Sequence, residues 1–201
     1  MLDGAAQAAL AEAVRAIVAD APLYRPTMPK TGKPFSVRMT NCGPLGWVAD
    51  KAGGYRYQAT HPATGRPWPA MPPAVLDVWF AATGRDYPPE ACLINWYEPG
   101  AKMGMHRDED EAAQDAPVVS ISLGDDARFR LGGPTRGGKT ASVILRSGDV
   151  LVLDGPSRRC FHGVDRIYPG TSTLLGAAGR INLTLRRVTP FETGADAPSS
   201  G

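Results

Sequence analysis

Two stretches of the chain place apolar residues at the spacing of an α-helix. The first runs from Ala5 to Asp20, and Pro22 follows where a helix would have to stop. The second begins after Pro72 and Pro73 and ends at Gly84, a residue suited to the C-terminal end of a helix. The apolar faces are formed by Leu10, Val14, Ile17 and Val18 in the first stretch and by Val75, Val78, Trp79 and Ala82 in the second. The pattern therefore predicts two packing helices.

After the second helix the pattern changes to short strands separated by turns. The turns are marked by Gly124-Asp125, Gly132-Gly133 and Ser147-Gly148-Asp149. The predicted strands are Cys92–Tyr97, Val118–Leu123, Arg128–Leu131, Ser142–Leu145, Val150–Leu153 and Arg180–Arg187. Many short strands with glycine-rich turns indicate a sandwich or jelly roll. The predicted fold class is therefore mainly β with flanking helices (α+β).

The segment between the two predicted helices has a different composition. Residues 41–73 are rich in Gly, Pro, Trp and Tyr, which is too aromatic for a passive linker and too irregular for a regular element. A folded binding loop or lid fits this composition better. We expect one domain over residues 1–192, with the lid at about 35–73, a strand-rich core at 92–187 and a disordered tail at 193–201.

Composition and charge narrow the function classes only slightly. The 201 residues, 43% hydrophobic and 21% charged, describe one globular domain large enough to hold a ligand cavity. The net charge of +2 falls short of a dedicated nucleic-acid module, so any contact with phosphates must come from a local patch. Three cysteines, Cys42, Cys92 and Cys160, fit a reducing compartment rather than a disulfide framework. Since no signal peptide or membrane span is evident, we expect a soluble cytoplasmic protein.

A candidate metal site comes from two of the three histidines. His106 opens His106-Arg107-Asp108, and His162 follows in the strand-like segment Cys160-Phe161-His162. Two imidazoles and one carboxylate on one face of Fe(II) leave positions open for a chelating cosubstrate and O₂. The His-x-Asp spacing alone is weak, because a surface histidine beside a turn aspartate produces it by chance. A lone buried histidine is likewise more often a core residue than a ligand.

Polar residues alternate along the last predicted strand. Arg180, Asn182, Thr184 and Arg186 share one face, and Ile181, Leu183 and Leu185 share the other. If the polar face turned inward, the two arginines would need anionic partners, and a dicarboxylate would be one. Asn95 and Tyr97 share a face by the same alternation and could donate to that ligand. An amphipathic edge strand with both arginines in water fits the same pattern, so periodicity leaves both interpretations open.

Several further motifs follow one another between Thr40 and Arg187. In order, the motifs are Asn41-Cys42-Gly43, Leu45-Gly46-Trp47, Tyr55-Arg56-Tyr57, Pro67–Pro72, Asn95-Trp96-Tyr97, His106–Glu111, Ser120–Gly124, His162-Gly163 and Arg180–Arg186. Together they resemble the AlkB family of oxidative demethylases, and its bacterial branch most closely. The resemblance covers most of the chain.

The resemblance implies a double-stranded β-helix, or jelly roll, with an N-terminal nucleotide-recognition lid. It implies that Fe(II) is held by His106, Asp108 and His162. It places the cosubstrate 2-oxoglutarate, which reacts with O₂, among Asn95, Tyr97, Arg180, Asn182 and Arg186. In the lid it assigns Trp47 to stacking on a flipped base, Tyr55 and Tyr57 to the backbone and base, Asp110 to the base edge and Arg136 to the pocket mouth.

The implied activity is oxidative demethylation of N-alkylated bases such as 1-methyladenine and 3-methylcytosine. The products are formaldehyde, succinate and CO₂. The implied partner is alkylated single-stranded or double-stranded DNA, with RNA as a further candidate, and the protein is expected to be a monomer that does not associate with membranes. Single strands lower the energy needed to flip a base.

Each lid residue also has an ordinary structural explanation. Tyr55 and Tyr57 could be packing aromatics, Asp110 a solvated acid and Arg136 a surface arginine. Trp68 is expected to pack rather than bind, and His61 is expected in a turn.

Two residues depart from the family pattern. Trp96 stands where the family often has an arginine, but alternation places it opposite Asn95 and Tyr97. Pro44 stiffens the chain before Trp47, which affects the lid.

Two other functions remain compatible with the residues. One is a dioxygenase of the same fold that acts on proteins or small molecules, and the other is a catalytically silent β-barrel that binds nucleic acid or metal. The aromatic and basic residues of Tyr55-Arg56-Tyr57 favour bases and phosphates over the first. The complete ligand set and the two strand arginines favour catalysis over the second, and an assay for succinate separates them.

Overall fold

The computed structural model describes residues 1–190, which contain two α-helices and eleven strands. The helices are α1 (Gly4–Asp20) and α2 (Pro73–Thr83). The strands are β1 (Arg38–Cys42), β2 (Gly46–Asp50), β3 (Gly54–Gln58), β4 (Ala91–Tyr97), β5 (Met103–His106), β6 (Val118–Gly124), β7 (Asp126–Leu131), β8 (Ala141–Leu145), β9 (Val150–Leu153), β10 (His162–Tyr168) and β11 (Arg180–Arg186). A short 3-10 helix, Gly155–Arg159, precedes β10. The predicted tail, 193–201, lies outside the described residues.

Both predicted helices are confirmed, with ends that follow from local chemistry. Asp3 caps α1 by accepting a hydrogen bond from the Ala6 N–H at 2.8 Å. Gly84 ends α2 in the left-handed conformation, at φ 63°, which a side chain would disfavour. The helices share one core cluster with β4, β6 and β11, so they cover the outer face of the larger sheet. No helix within residues 1–190 is long and apolar enough to cross a membrane.

The strands form two larger antiparallel sheets and one hairpin. The five-stranded sheet has the order β1-β4-β11-β6-β9, and the four-stranded sheet has the order β5-β10-β7-β8. A second core cluster unites residues of both sheets, among them Leu93 and Tyr97 of β4 with Phe129 of β7 and Val164 of β10. The core between the sheets is that of a jelly roll, as the turn pattern predicted.

The last strand, β11, lies in the middle of the larger sheet. It pairs with β4 on one side and β6 on the other, and Ile181, Leu183 and Leu185 face the helices. The opposite face, which carries Arg180 and Arg186, turns into the space between the sheets. The edge-strand interpretation is therefore excluded.

Five of the eleven strands were not predicted from the sequence, namely β1, β2, β3, β5 and β10. Residues 41–73 were expected to lack regular structure, but β2 and β3 form a hairpin closed by the Asp50–Gly54 turn. Asp50 shapes this turn by accepting from the N–H groups of Ala52 and Gly53, at 2.9 and 2.6 Å. The strands β1, β5 and β10 were also missed, and β10 has seven residues whose first three are buried in succession instead of alternating. The segment at Cys160 becomes a strand only from His162 onward. Four- and five-residue strands are too short for alternation to be diagnostic.

Candidate metal and cosubstrate site

The three candidate metal ligands come together where β5 meets β10. His106 ends β5, His162 begins β10, and the two face each other in the antiparallel register. Asp108 follows β5, and one ligand atom from each of the three residues lies within 4.8 Å of the others. The Nε2 atoms of His106 and His162 are each 3.7 Å from an Asp108 carboxylate oxygen. This is the donor set and spacing of a two-histidine, one-carboxylate metal site.

Each histidine ring is oriented through its other nitrogen. His106 Nδ1 lies 2.9 Å from the Gly104 carbonyl oxygen, and His162 Nδ1 lies 3.1 Å from the Cys160 carbonyl oxygen. These contacts place the proton on Nδ1 and leave Nε2 as the free donor atom. The close approach of the strands depends on Gly163, where a Cβ would stand 2.6 Å from the Met103 carbonyl oxygen. The backbone around each histidine thus orients its ring so that Nε2 faces the other candidate ligands.

The electrostatics of the site favour the protonation states that a metal requires. Burial would raise the pKa of Asp108, but Arg186 and the two histidines lower it below its ordinary value. Burial lowers the pKa of His162, and Asp108 offsets part of that effect. A carboxylate and a neutral imidazole are the forms that coordinate a cation.

A cavity between the two sheets extends from His106 and His162 to Arg180, the first residue of β11. Its lining includes the residues predicted for the cosubstrate, which are Asn95, Tyr97, Arg180, Asn182 and Arg186, together with His106 and His162. Asn95, Arg180 and Arg186 each have a buried polar atom without a hydrogen-bond partner among the described residues. Unpaired buried polar groups are unfavourable unless a ligand satisfies them.

Arg180 is buried in this cavity and forms no salt bridge with a carboxylate of residues 1–190, although Asp149 acts on it at longer range. It is 1% exposed, and its Nη2 donates to the Ser122 hydroxyl at 2.8 Å. Its guanidinium carbon lies 5.6 Å from the Tyr97 ring centre, while its Nε and Nη1 have no partner within residues 1–190. Burial lowers the pKa of Arg180 and raises the pKa of Tyr97 to about 12. The end of the cavity at Arg180 therefore suits a carboxylate.

Arg186 has a different environment at the metal end. Its Nη2 donates to Asp108 Oδ1 at 2.9 Å, and its Nε lies 3.2 Å from Glu111 Oε1 without hydrogen-bond geometry. Burial would lower the pKa of Arg186, but Asp108, Tyr57 and Glu111 raise it. Asn182 is also held by the protein, since its Nδ2 donates to Ser120 Oγ at 2.7 Å.

The lid residues make more contacts with each other than the sequence indicated. Trp47 Nε1 donates to Asp110 Oδ2 at 2.7 Å, and the indole stacks on the Tyr55 ring at a centroid distance of 5.6 Å. Tyr55 is half exposed, whereas the Tyr57 hydroxyl donates to Glu111 Oε1 inside the protein. Arg136 lies 4.8 Å from the Phe161 ring centre, with its Nη1 donating to the Met105 carbonyl at 3.2 Å. The structure thus places Tyr57 apart from the exposed stack.

Three residues outside the proposed binding set have clear structural roles. Trp68 is buried and donates from Nε1 to the Gln58 carbonyl at 2.8 Å, so it packs as predicted. His61 lies in a turn, where its Nδ1 accepts from Ala63 and Thr64. Trp96 packs against the helix side of the sheet, opposite Asn95 and Tyr97, as alternation required.

Two residues of the site were missed by the sequence analysis. Glu111 and Arg158 are 4% and 2% exposed and pair at 3.0 Å. Arg158 also donates to the carbonyl oxygens of Asp108 and Ala116, at 2.8 and 2.9 Å. Glu111 lies within the motif His106–Glu111 but was given no role of its own, and Arg158 lies in an ordinary Arg-Arg pair. Only their burial identifies them.

Comparison with known proteins gives consistent matches over most of the chain. The family model of the 2OG-Fe(II) oxygenase superfamily matches residues 2–186. An alpha-ketoglutarate-dependent dioxygenase AlkB homolog of Caulobacter vibrioides is 56% identical over 189 residues, covering 93% of this chain and 84% of that protein. The alpha-ketoglutarate-dependent dioxygenase AlkB of Escherichia coli is 43% identical over 168 residues, covering 82% of this chain and 77% of that protein.

Solved structures with a similar fold include two oxygenases. The structure of OsALKBH1 has a TM-score of 0.74 and 32% identity, and the match covers 90% of this chain and 91% of that one. A Pseudomonas putida prolyl-4-hydroxylase has a TM-score of 0.51 and 18% identity, and the match covers 92% of this chain and 88% of that one. The second likeness concerns the fold alone.

Proposed function

This chain belongs to the AlkB family of the 2OG-Fe(II) oxygenase superfamily, and we propose that its iron is held by His106, Asp108 and His162. Its activity is the Fe(II)- and 2-oxoglutarate-dependent oxidative demethylation of alkylated nucleic-acid bases. The observation that carries the residue assignment is the convergence of these three ligands at one end of a cavity whose other end contains an unpaired buried arginine.

When bound, Fe(II) with O₂ and 2-oxoglutarate supplies a two-electron oxidation of the N-methyl carbon, and the cosubstrate leaves as succinate and CO₂. The hydroxymethyl group then separates from the base nitrogen as formaldehyde. The residues of the chain bind and orient the metal, the cosubstrate and the base, and they keep water out of the site. The unpartnered Asp108 Oδ2 and the free Nε2 atoms of His106 and His162 are the donor atoms expected to hold the metal.

The cosubstrate is proposed to lie along β11 with its distal carboxylate on Arg180. The support is the buried guanidinium, which has two nitrogens without partners and only a neutral hydroxyl on the third. Asn95 and Tyr97 lie beside it on β4 and complete the polar lining. Arg186 and Asn182 stay in the proposed set, with Arg186 near the chelating end because it contacts Asp108.

The exposed lid is proposed to recognise the base. Trp47 offers an aromatic face, and Asp110 is fixed beside it by the indole hydrogen bond. A base made cationic by methylation gains about 0.5–2 kcal/mol on such a face, and a nearby carboxylate adds to that. We therefore propose a preference for 1-methyladenine and 3-methylcytosine over neutral lesions. Tyr55, Tyr57 and Arg136 remain proposed contacts to the nucleic acid.

The finer properties of the protein follow from the same proposal. DNA in single- or double-stranded form is the proposed substrate, with RNA as a further one, and the enzyme is proposed to act as a cytoplasmic monomer. The three cysteines are free, which supports a reducing compartment.

The proposed domain remains 1–192, with the lid at about 35–73 and the core at 92–187. Size-exclusion chromatography with light scattering tests the monomer.

The deciding experiment is anaerobic reconstitution with Fe(II) and 2-oxoglutarate, followed by mass spectrometry of short methylated DNA and RNA strands. His106→Ala, Asp108→Ala and His162→Ala should each abolish demethylation while the fold survives. Near-parental turnover in any one of them would remove that residue from the metal site. Succinate formation without loss of the methyl group would indicate a substrate other than a nucleic acid.

Selectivity has its own test. Asp110→Asn keeps the shape of the side chain and removes its charge, so it should lower kcat/KM for a cationic lesion more than for a neutral one. Trp47→Ala should weaken both. An unchanged ratio in Asp110→Asn would mean that this carboxylate does not recognise the charge of the base.

A further inference from the structure

Four buried charged residues form one connected network behind the metal site. They are the two carboxylates Asp108 and Glu111 and the two arginines Arg158 and Arg186, none more than 8% exposed. Glu111 is shared, since its Oε2 accepts from Arg158 at 3.0 Å and its Oε1 lies 3.2 Å from Arg186 Nε. Two negative and two positive charges balance, which is the condition under which buried ion pairs are tolerated.

The network holds Asp108 at two points. Arg186 binds its carboxylate at 2.9 Å, and Arg158 binds its carbonyl oxygen at 2.8 Å. Both arginines contact Glu111, so the position of the Glu111 side chain influences both contacts at once. Residues that orient a metal ligand in this way commonly affect metal affinity although they do not touch the metal.

The same glutamate is connected to the lid. The Tyr57 hydroxyl donates to Glu111 Oε1, and Tyr57 lies on β3, directly opposite Trp47 of β2 in the hairpin register. Within the described residues, this hairpin is a separate two-stranded sheet, because neither of its strands pairs with a strand of the two larger sheets. The Asn41 side chain of β1 holds the Trp47 N–H and carbonyl oxygen of the hairpin, both at 3.0 Å. Movement of the Tyr57 side chain, rather than of the hairpin as a whole, can therefore alter its contact with Glu111 without rearranging the core strands.

We propose that Glu111 is a positioning residue that couples occupancy of the lid to the orientation of Asp108, through Tyr57 on one side and Arg186 and Arg158 on the other. This inference rests on the proposed iron site and on the proposed role of the lid. A base that displaces the Tyr57 side chain alters its hydrogen bond with Glu111, and the change reaches the metal carboxylate through the arginines. Because coupling between two binding sites is reciprocal, metal binding must change lid binding by the same factor and in the same direction.

The experiment measures Co(II) affinity and the Co(II) absorption spectrum of the full-length protein with 2-oxoglutarate, with and without a 3-methylcytosine oligonucleotide. Glu111→Gln should weaken Co(II) binding by about 10–100-fold and change the spectrum. Tyr57→Phe removes one hydrogen bond and should weaken it by about 2–10-fold, which corresponds to about 0.5–1.5 kcal/mol. The effect of Tyr57→Phe on Co(II) affinity should be smaller in a protein that already carries Glu111→Gln.

The matched control is Tyr55→Phe, which removes the hydroxyl of the neighbouring, half-exposed lid tyrosine. Its Co(II) dissociation constant should stay within about twofold of the parent, since Tyr55 stacks on Trp47 and does not contact Glu111. In the parent, the oligonucleotide should change the Co(II) dissociation constant, and Tyr57→Phe should reduce that change. The Tyr55→Phe control applies to Co(II) binding without the oligonucleotide, because Tyr55 is itself a proposed contact to the nucleic acid.

Two results would overturn the proposal. If Tyr57→Phe weakens oligonucleotide binding but leaves Co(II) affinity and its response to the oligonucleotide unchanged, Tyr57 acts on the nucleic acid alone. If Glu111→Gln lowers thermal stability without altering the Co(II) spectrum, its role is structural only. Failure of the proposed function is distinguishable, because it would appear as absence of demethylation by the Fe(II)-loaded parent.

Discussion

Arg180 and Arg186 stand at opposite ends of β11, on the same face of the strand, and are 1% and 6% exposed. Arg186 lies between two carboxylates, Asp108 and Glu111, whereas Arg180 meets a serine hydroxyl and a tyrosine ring. The pKa of Arg186 is accordingly raised by its carboxylate neighbours against burial, and that of Arg180 is lowered by burial. One arginine is balanced by the protein itself, and the other is left for a ligand.

The difference shows that equal positions in a strand pattern can have opposite electrostatic roles. A buried guanidinium with protein counter-charges is part of the folded framework, and its removal leaves those carboxylates unpaired. A buried guanidinium without them destabilises the empty protein and favours the ligand that neutralises it. The two ends of β11 should therefore respond differently to the same substitution.

The largest expected effect is on stability. In the metal-free protein without 2-oxoglutarate, Arg186→Met should lower the free energy of unfolding by about 3–5 kcal/mol, because buried Asp108 loses its arginine partner and Glu111 keeps only Arg158. Arg180→Met should lower it little or raise it. Urea unfolding of the two variants measures the difference, and equal losses would refute the contrast.

The next effect concerns cosubstrate affinity. Arg180→Met should raise the 2-oxoglutarate dissociation constant by about 10–100-fold, the loss of about 1.5–3 kcal/mol for a charged hydrogen-bonded pair. Arg180→Lys should be intermediate, because an ammonium cannot form the bidentate contact. Isothermal titration with Mn(II) in place of iron provides the measurement. If Arg186→Lys raised the constant as much as Arg180→Lys, both arginines would bind the cosubstrate directly.

A pH effect should appear at the Arg186 end only. Arg186 and the histidines hold the pKa of Asp108 below its unfolded value of about 3.9. The stability that this ionised carboxylate contributes is therefore present above that pH and lost as the pH falls through the folded pKa. Asp108→Asn should reduce the acid-induced fall in the free energy of unfolding, by up to about 1.4 kcal/mol per pH unit. If Asp108→Asn left the pH dependence of the free energy of unfolding unchanged, the Asp108 carboxylate would not be stabilised by its contact with Arg186.

The smallest expected effect belongs to the neutral partner of Arg180. Ser122→Ala removes the hydroxyl that accepts from Nη2 and should weaken 2-oxoglutarate binding by about 0.5–1.5 kcal/mol. Ser120→Ala is the matched control, since that hydroxyl contacts Asn182 instead. The same titration compares the two, and a larger effect at Ser120 would shift the binding site toward the metal.

Much of the fold was predictable because its signals are local. The two helices carried apolar spacing and end signals, and six strands carried alternation or turn residues, so their existence followed from the sequence. The hairpin β2–β3 did not, since five-residue strands in an aromatic segment have too few positions for a period to emerge. The four-residue strand β5 was missed for the same reason, and β10 was missed because its first three residues are buried in succession instead of alternating. These two strands carry His106 and His162.

The sequence predicted which side chains of a single strand share a face. It could not predict contacts between residues that are far apart in the chain. Alternation placed Arg180 and Arg186 together, but it could not reveal that Arg186 meets a carboxylate 75 positions earlier in the chain. Asp110 and Glu111 are adjacent acids, and only the three-dimensional structure shows that one faces the indole and the other is buried. The chemistry of His106, Asp108 and His162, together with the family resemblance, indicated the proposed metal ligands. Burial revealed Glu111 and Arg158.

The unpaired Arg180 also bears on how long the protein survives in a cell. Proteases act on chains that open transiently, and the fraction open rises as the folded state becomes less stable. A ligand that binds only the folded state lowers that fraction by mass action. Since buried Arg180 forms no salt bridge with a carboxylate of residues 1–190, binding of 2-oxoglutarate there should stabilise the folded state, and the lifetime of the enzyme should increase with the supply of 2-oxoglutarate. The abundance of a repair enzyme would then follow the metabolic state of the cell without any change in its synthesis.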